Sequence, residues 1–339
     1  MNGNRTAFAL PAVLVMTAVL SLVYLTAVQG LAGLHASALK AEAEVLAYRE
    51  GLSLEARTAY LLATRPLDSS GISLVGSVSG TGTADTLQLD NRPYFGIGAT
   101  KLFSVQDEAG LIDLDQLSGE AARRFFAKLS SPDLATTLTE RFADYIDGDR
   151  LKRVHGAERE DYLLAGAPPP PDRPLRRVPE LLGILGWRDV PEARWVGWRD
   201  LLTADPTGTS LNVNTAPAEV LEVLYGLSPA KAALAVESRA GAPFASLEAL
   251  GRLAGVPLHG DAERSYTRPS GKVVLTGYGS GGLVWRSRIL FTPDDEGSPL
   301  WMSDRAITSA GGETPHCVDA CPLIWGAIFP QQSRFGLRP

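Results

Sequence analysis

The sequence predicts an α+β chain in which one long amino-terminal helix lies on a small antiparallel sheet, with a large, mostly helical unit inserted between strands of that sheet. Three observations carry this expectation. Phe8 to Val28 is an uncharged, apolar run of 21 residues, long enough to cross a bilayer as one helix. Helical periodicity dominates from roughly Ser118 to Leu258, and segments with strand character lie on both sides of that block. A helical block between strands that need one another reads as an insertion into a sheet domain.

The first element is the helix. Its polar leader, Met1 to Ala7, holds one charge, Arg5, which favours a cytoplasmic amino end and an external remainder. A secretory signal peptide has a shorter apolar stretch of about 7–15 residues before a small-x-small site. Ala36-Ser37-Ala38 offers such a site, but the run here is too long. The pattern also continues past the apolar part. Leu31, Leu34, Ala38, Ala41, Val45, Tyr48 and Leu52 recur at three- and four-residue steps, with Lys40, Glu42, Glu44, Glu50 and Glu55 between them, which predicts one helix turning amphipathic and ending near Thr64. Such a helix is roughly 85 Å long. A generic single-span anchor with a stalk fits this helix equally well.

Beyond it, Asp68 to Thr86 is rich in Gly, Ser and Thr and reads as turns and short strands. The stretch Asp107 to Leu117 alternates after Gly110 and predicts a strand. Helices are expected around 121–129, 134–146, 179–185 and 216–240, with a proline run at Pro168 to Pro171. Strands return at Lys272 to Thr276 and Leu283 to Phe291, separated by a glycine-rich turn. The expected divisions are a leader at 1–7, a helix at 8–64, a first sheet part at 65–117, an inserted helical domain at 118–258, closing strands at 259–310 and a tail at 311–339.

Composition excludes more than it selects. A net charge of −6 and a pI near 5.4 give no support to a nucleic-acid or anionic-membrane surface. The two cysteines, Cys317 and Cys321, lie close together beside His316. In an oxidising compartment a local disulfide is the first reading, a metal pair is short of ligands, and two free thiols remain the plain alternative. No H-E-x-x-H, P-loop or G-x-S-x-G pattern occurs, and the four histidines are scattered. No constellation supports catalysis.

Two segments have chemistry of their own. Asp144, Asp147, Asp149, Glu158 and Asp161 crowd a short stretch, and hard oxygen ligands at such spacings can converge on calcium. There is no EF-hand spacing, and ordinary loop carboxylates look the same. Asn212-Val213-Asn214-Thr215-Ala216-Pro217 predicts a helix cap at Asn214 or Thr215 with Pro217 in the first turn. Gly226 to Ala232 then turns into a second helix, a helix-hairpin-helix pattern of the kind that grips phosphates in DNA-uptake receptors. Such a hairpin wants closely spaced glycines and nearby cations. Here Ser228 stands at the second glycine position, and Lys231, Arg239 and Arg252 are outnumbered by Glu219, Glu222, Glu237 and Glu248. Protein packing is the favoured role for the hairpin.

These segments together resemble the general secretion pathway protein K family, minor pseudopilins of type II secretion systems. Ala7 followed by Phe8 resembles a prepilin-peptidase site. The fifth mature position, usually Glu in pilins and pseudopilins, is Ala12, as in this tip-located subclass. The stretch Asp107 to Leu117 is similar to a family strand phrase, with Asp113 and Asp115 in place of two asparagines. Phe142 to Asp149 with Gly156-Ala157-Glu158 and Tyr162 resembles a second block, with Tyr145 and Gly148 replacing its usual Trp and Pro. Val178 to Leu181 and Asn212 to Ala216 resemble two further blocks, in family order.

The resemblance implies a pilin-like α+β fold, prepilin-peptidase cleavage with methylation of Phe8, and a single inner-membrane span with the bulk of the chain periplasmic. It implies a tip complex with other minor pseudopilins joined through the stripe Leu31, Leu34, Val45 and Leu52, an inner-membrane secretion platform, contact with the secretin or exported substrates, and bound calcium. No organic cofactor or nucleic-acid partner is expected. A type IV pilus minor pilin is the runner-up, and a DNA-uptake protein the third reading.

Overall fold

The computed structural model describes residues 9–69, 71–74, 86–95, 102–204, 210–260, 266–279, 282–293 and 297–309. Helix α1 spans Ala9–Thr64 without a break. Its residues 10–42 are exposed throughout, and an 18-residue window reaches a mean hydropathy of 2.1, so α1 is long and apolar enough to cross a membrane. Among the described residues, only its carboxyl-terminal third meets other elements. There Leu54, Ala59, Leu61 and Leu62 are buried together with Ile72, Leu87, Tyr94, Phe103, Val105, Val273, Leu275 and Ile289. Each large side chain so enclosed contributes about 2 kcal/mol relative to exposure.

After α1 come three short strands, β1 (Leu67–Asp68), β2 (Gly71–Ser73) and β3 (Thr86–Leu87), forming one antiparallel ribbon. The main sheet follows, built from β4 (Tyr94–Phe95), β5 (Leu102–Asp107), β8 (Lys272–Tyr278), β9 (Leu283–Phe291) and β10 (Leu300–Ser309). Its order is β10-β9-β8-β5-β4, and every neighbour is antiparallel. Strand β9 alternates as a half-covered strand must: Leu283, Trp285, Ser287 and Ile289 are buried, while Val284, Arg286 and Arg288 are only half-buried.

Two side-chain arrangements seat α1 on this sheet. A Cβ at Gly51 would lie 2.1 Å from the ring of Trp285, so the indole occupies the space that any other residue there would fill. Tyr48 meets the same ring edge-on at 5.3 Å. At the sheet edge, β10 carries a register shift between Ser303 and Ala306, with Asp304 at φ 52°. The irregularity lets Arg305 hold the buried Glu55 of α1 through Nε at 2.9 Å and its terminal nitrogen at 2.6 Å.

Strands β5 and β8 are direct neighbours in the sheet, pairing Asp107 with Val273. The chain from 108 to 271 therefore leaves and re-enters at adjacent strands. It forms α2 (Gly119–Leu129), α3 (Pro132–Ile146), α4 (Arg159–Leu164), α5 (Glu192–Trp198), α6 (Ala218–Tyr225), α7 (Pro229–Gly241) and α8 (Leu247–Ala254). These enclose a second core around Phe125, Phe126, Leu138, Phe142, Tyr162 and Leu221. In α2 the buried positions Ala122, Phe125, Phe126 and Leu129 fall at three- and four-residue steps, the spacing of one helix face.

The expected strand at 107–117 differs from what forms. Its first residue ends β5, and only Ile112–Asp113 (β6) is a strand, paired in parallel with β7 (Leu202–Thr203). Ile112, Leu114 and Leu117 are buried in the helical core, so this stretch belongs with the helices rather than the sheet. The division expected at 117/118 accordingly falls at 107/108. The one expected at 258/259 falls at 271/272, because Tyr266 packs on the helical core and the strand begins at Lys272. The helix expected at 179–185 is a 3-10 turn, Val178–Gly183.

Candidate cation site and assembly surfaces

Helix α3 stops at Ile146, and the loop behind it folds back over its last turn. Asp144 lies in that turn, fully buried. Its carboxylate receives the Arg153 amide at 3.2 Å and pairs with the Arg153 guanidinium, which also reaches Asp147 Oδ2 at 2.7 Å. A Cβ on Gly156 would sit 1.8 Å from Asp144 Oδ2, so only glycine lets the loop close on this carboxylate.

Of the five acids expected to ligate a cation, three come together. Oxygens of Asp147, Asp149 and Glu158 lie within 4.8 Å of one another. Asp144 is instead paired with Arg153, and Asp161 is held by Lys152 Nζ at 2.6 Å while its other oxygen accepts the Glu158 amide at 2.9 Å. Those partners hold Asp161 below its ordinary pKa, with Lys152 as the main cause. Glu158 is displaced the other way, raised by burial and by the neighbouring charges of Asp144, Asp147, Asp172 and Asp149. Asp147 Oδ1 and Glu158 Oε1 are buried without a hydrogen-bond partner. Buried carboxylate oxygens left without donors are costly, and a hard cation with oxygen ligands fits these three residues.

The seam between sheet and insertion has its own polar centre. Asp107, fully buried at the end of β5, accepts from Ser270 N (3.0 Å), Ser270 Oγ (2.7 Å), Asn212 Nδ2 (3.0 Å), Thr215 Oγ1 (3.0 Å) and Ala109 N (3.3 Å). Burial raises its pKa, and the hydrogen bonds from Ser270, Asn212 and Thr215 oppose that rise. A Cβ on Gly110 would meet Thr215 O at 2.7 Å, so this glycine lets the loop carrying Asn212 and Thr215 approach. Nearby, Arg288 lies 2.6 Å from Glu108, and Arg286 pairs with Asp200 of the insertion.

That loop does not cap a helix in the expected way. Pro217 occupies the cap position of α6, without a side-chain bond. Asn214 instead pairs both ways with the Phe244 backbone, donating to its carbonyl at 3.0 Å and accepting from its amide at 2.8 Å. The hairpin itself forms, with Gly226 at φ 65° and Ser228 Oγ accepting from Lys231 N. Two guanidinium groups beside the hairpin are spent on backbone carbonyls. Arg124 of α2 donates to the carbonyls of Val223 at 2.7 Å and Leu224 at 3.0 Å, ending α6. Arg239, one of the bases weighed for phosphate gripping, is only 4% exposed and donates to Val213 O at 2.8 Å and to Ala216 O. Burial pulls its pKa down to about 10.

Along the expected assembly stripe, Leu31, Leu34 and Val45 are 67%, 70% and 67% exposed, whereas Leu52 is half-buried where α1 meets the sheet. The processing pair Ala7 and Phe8, and the cysteines Cys317 and Cys321, lie outside the described residues. Sequence reasoning missed Asp107, Ser270 and Arg153. Ser270 in particular carries no local signal.

Residues 102–192 and 211–266 match two family models, both described as type II secretion system (T2SS), protein K. The type II secretion system protein K of Pseudomonas aeruginosa is 29% identical over 154 residues, which cover 42% of this chain and 45% of that protein. The chain thus matches under half the length of this curated relative. The solved GspK-GspI-GspJ complex from the enterotoxigenic Escherichia coli type 2 secretion system contains a chain similar in fold, with a TM-score of 0.50 and 18% identity over 79% of this chain and 97% of that one.

Proposed function

For a chain whose residues 102–192 and 211–266 match type II secretion system protein K, we propose membership of that family and the role of a minor pseudopilin at the tip of a pseudopilus, where it initiates assembly and supports protein export. Its partners are then other minor pseudopilins and the inner-membrane secretion platform, with the secretin or exported substrates as further contacts. The observation that carries this reading is the bare stretch of α1. Leu31, Leu34 and Val45 are exposed on a helix whose own sheet begins only later, and burying such a surface between helices is strongly favourable. Ala12 at the fifth mature position suits a subunit with nothing stacked above it, since that place needs no carboxylate. In this reading the amino end is cytoplasmic, the span lies in the inner membrane and the rest is periplasmic. Calcium at Asp147, Asp149 and Glu158 would brace the loop after α3.

The test combines Leu34→Glu with Val45→Glu. Both side chains are exposed, so the fold is retained while co-purification with other minor pseudopilins and secretion are lost. Normal secretion by this double variant would overturn the proposal. Amino-terminal sequencing is expected to find Phe8 first, and a start at Leu39 would mean ordinary signal-peptidase cleavage.

A further inference from the structure

We infer that Arg153 is a built-in counter-cation of the acidic loop, which bridges Asp144 and Asp147 in the absence of a divalent ion and releases Asp147 when one binds. The inference rests on the cation-site reading given above. One nitrogen of the guanidinium is shared between Asp144 Oδ1 and Asp147 Oδ2. Of the loop's other basic residues, Arg150 is exposed and Lys152 is taken by Asp161, and Arg153 is the cation that touches both Asp144 and Asp147.

The two ends of this bridge differ in what they can give up. Asp144 has no exposed side-chain surface, while the Arg153 side chain is 43% exposed. The guanidinium, already half in water, swings off the part-exposed Asp147 more cheaply than off Asp144, whose fully buried carboxylate would be left without its counter-charge. Asp144 is not left bare by that movement, because the Arg153 amide still donates to its Oδ2 at 3.2 Å. Asp147 gains from it. Its Oδ1 is already buried and without a hydrogen bond, and release of Oδ2 makes the whole carboxylate available beside Asp149 and Glu158. A guanidinium and a doubly charged ion within contact distance of the same carboxylate repel one another, so the ion is bound against the charge of Arg153.

The experiment uses the full chain in detergent micelles, titrated with calcium chloride by calorimetry, with thermal unfolding followed in chelator and in saturating calcium. Arg153→Gln is expected to bind calcium on the order of tenfold more tightly than the natural chain. It is also expected to unfold at lower temperature in chelator, with the difference closing in calcium. If Arg153→Gln does not fold, Arg153→Lys carries the same comparison, since one ammonium cannot span both carboxylates as the guanidinium does. An unchanged or weaker affinity in the variant, with calcium still bound by the natural chain, overturns the inference and leaves the cation site standing. Failure of the natural chain and the variant alike to bind calcium overturns both.

Discussion

The carboxylate of Asp107 accepts both the amide and the hydroxyl of Ser270, at 3.0 and 2.7 Å, from a point 163 positions further along the chain. One oxygen thus ties the strand that enters the helical unit to the turn that leaves it. The other oxygen holds Asn212 and Thr215, so one buried side chain joins three distant segments.

Replacing Asp107 by Ala would leave the Asn212, Thr215 and Ser270 donors buried and unmatched. A loss of about 3 kcal/mol is expected in denaturant unfolding. Asp107→Asn, which keeps acceptor capacity on one side, is expected to lose less. Equal stability of Asp107→Ala and the natural chain would show that the seam contributes nothing.

At Gly51, helix propensity and packing pull in opposite directions. Alanine is the better helix former by about 1 kcal/mol, but its Cβ would intrude on the Trp285 ring. The expected outcome of Gly51→Ala is net destabilisation of about 2 kcal/mol with a shift in tryptophan emission. In a Trp285→Ala background the same substitution should turn neutral or stabilising, a coupling that a double-mutant cycle reads directly.

Arg239 separates a packing hairpin from a phosphate-gripping one. With its guanidinium on the carbonyls of Val213 and Ala216, Arg239→Ala is expected to lower stability by about 2 kcal/mol. DNA retention on a heparin or DNA column should be as weak before the substitution as after. A salt-dependent DNA affinity that Lys231→Ala abolishes without loss of stability would favour the nucleic-acid reading.

The acidic loop is expected to respond to pH in a defined direction when calcium is chelated. The Glu158 carboxyl lies above its ordinary value of 4.5 in the folded chain, so the folded state binds more protons than the unfolded one in that interval, and stability rises as pH falls through it. Below the ordinary value the gain is complete. Glu158→Gln removes the repelled charge, so it should raise the melting temperature at neutral pH in chelator and lose that advantage on acidification. It should also abolish the shift produced by calcium. No calcium shift in the natural chain would remove the site.

Much of the architecture was legible because it rests on periodicity. The uninterrupted α1 follows from a long apolar run continuing into a stripe, and the helices of the insertion follow from buried positions such as Phe125 and Leu129 at helical steps. The stretch after Gly110 misled because alternation over a few residues is the same for a sheet strand and for an extended segment feeding a helical core, and Ile112 and Leu114 do the latter. The acid cluster was visible as composition, but which acids converge depends on where Arg153 and Lys152 fold back, and no spacing rule fixes that. Asn214 was misread as a cap because its partner, the Phe244 backbone, lies 30 positions away.

The adjacency of β5 and β8 bears on how such a chain can change over evolutionary time. Asp107 and Val273 stand opposite one another in the ladder, so the two ends of the helical unit are about 5 Å apart. That gap is the width of an ordinary hairpin turn. The whole unit can be enlarged, shortened or exchanged for another without moving a strand of the sheet, provided the newcomer again presents hydrogen-bond donors to the carboxylate at its doorway.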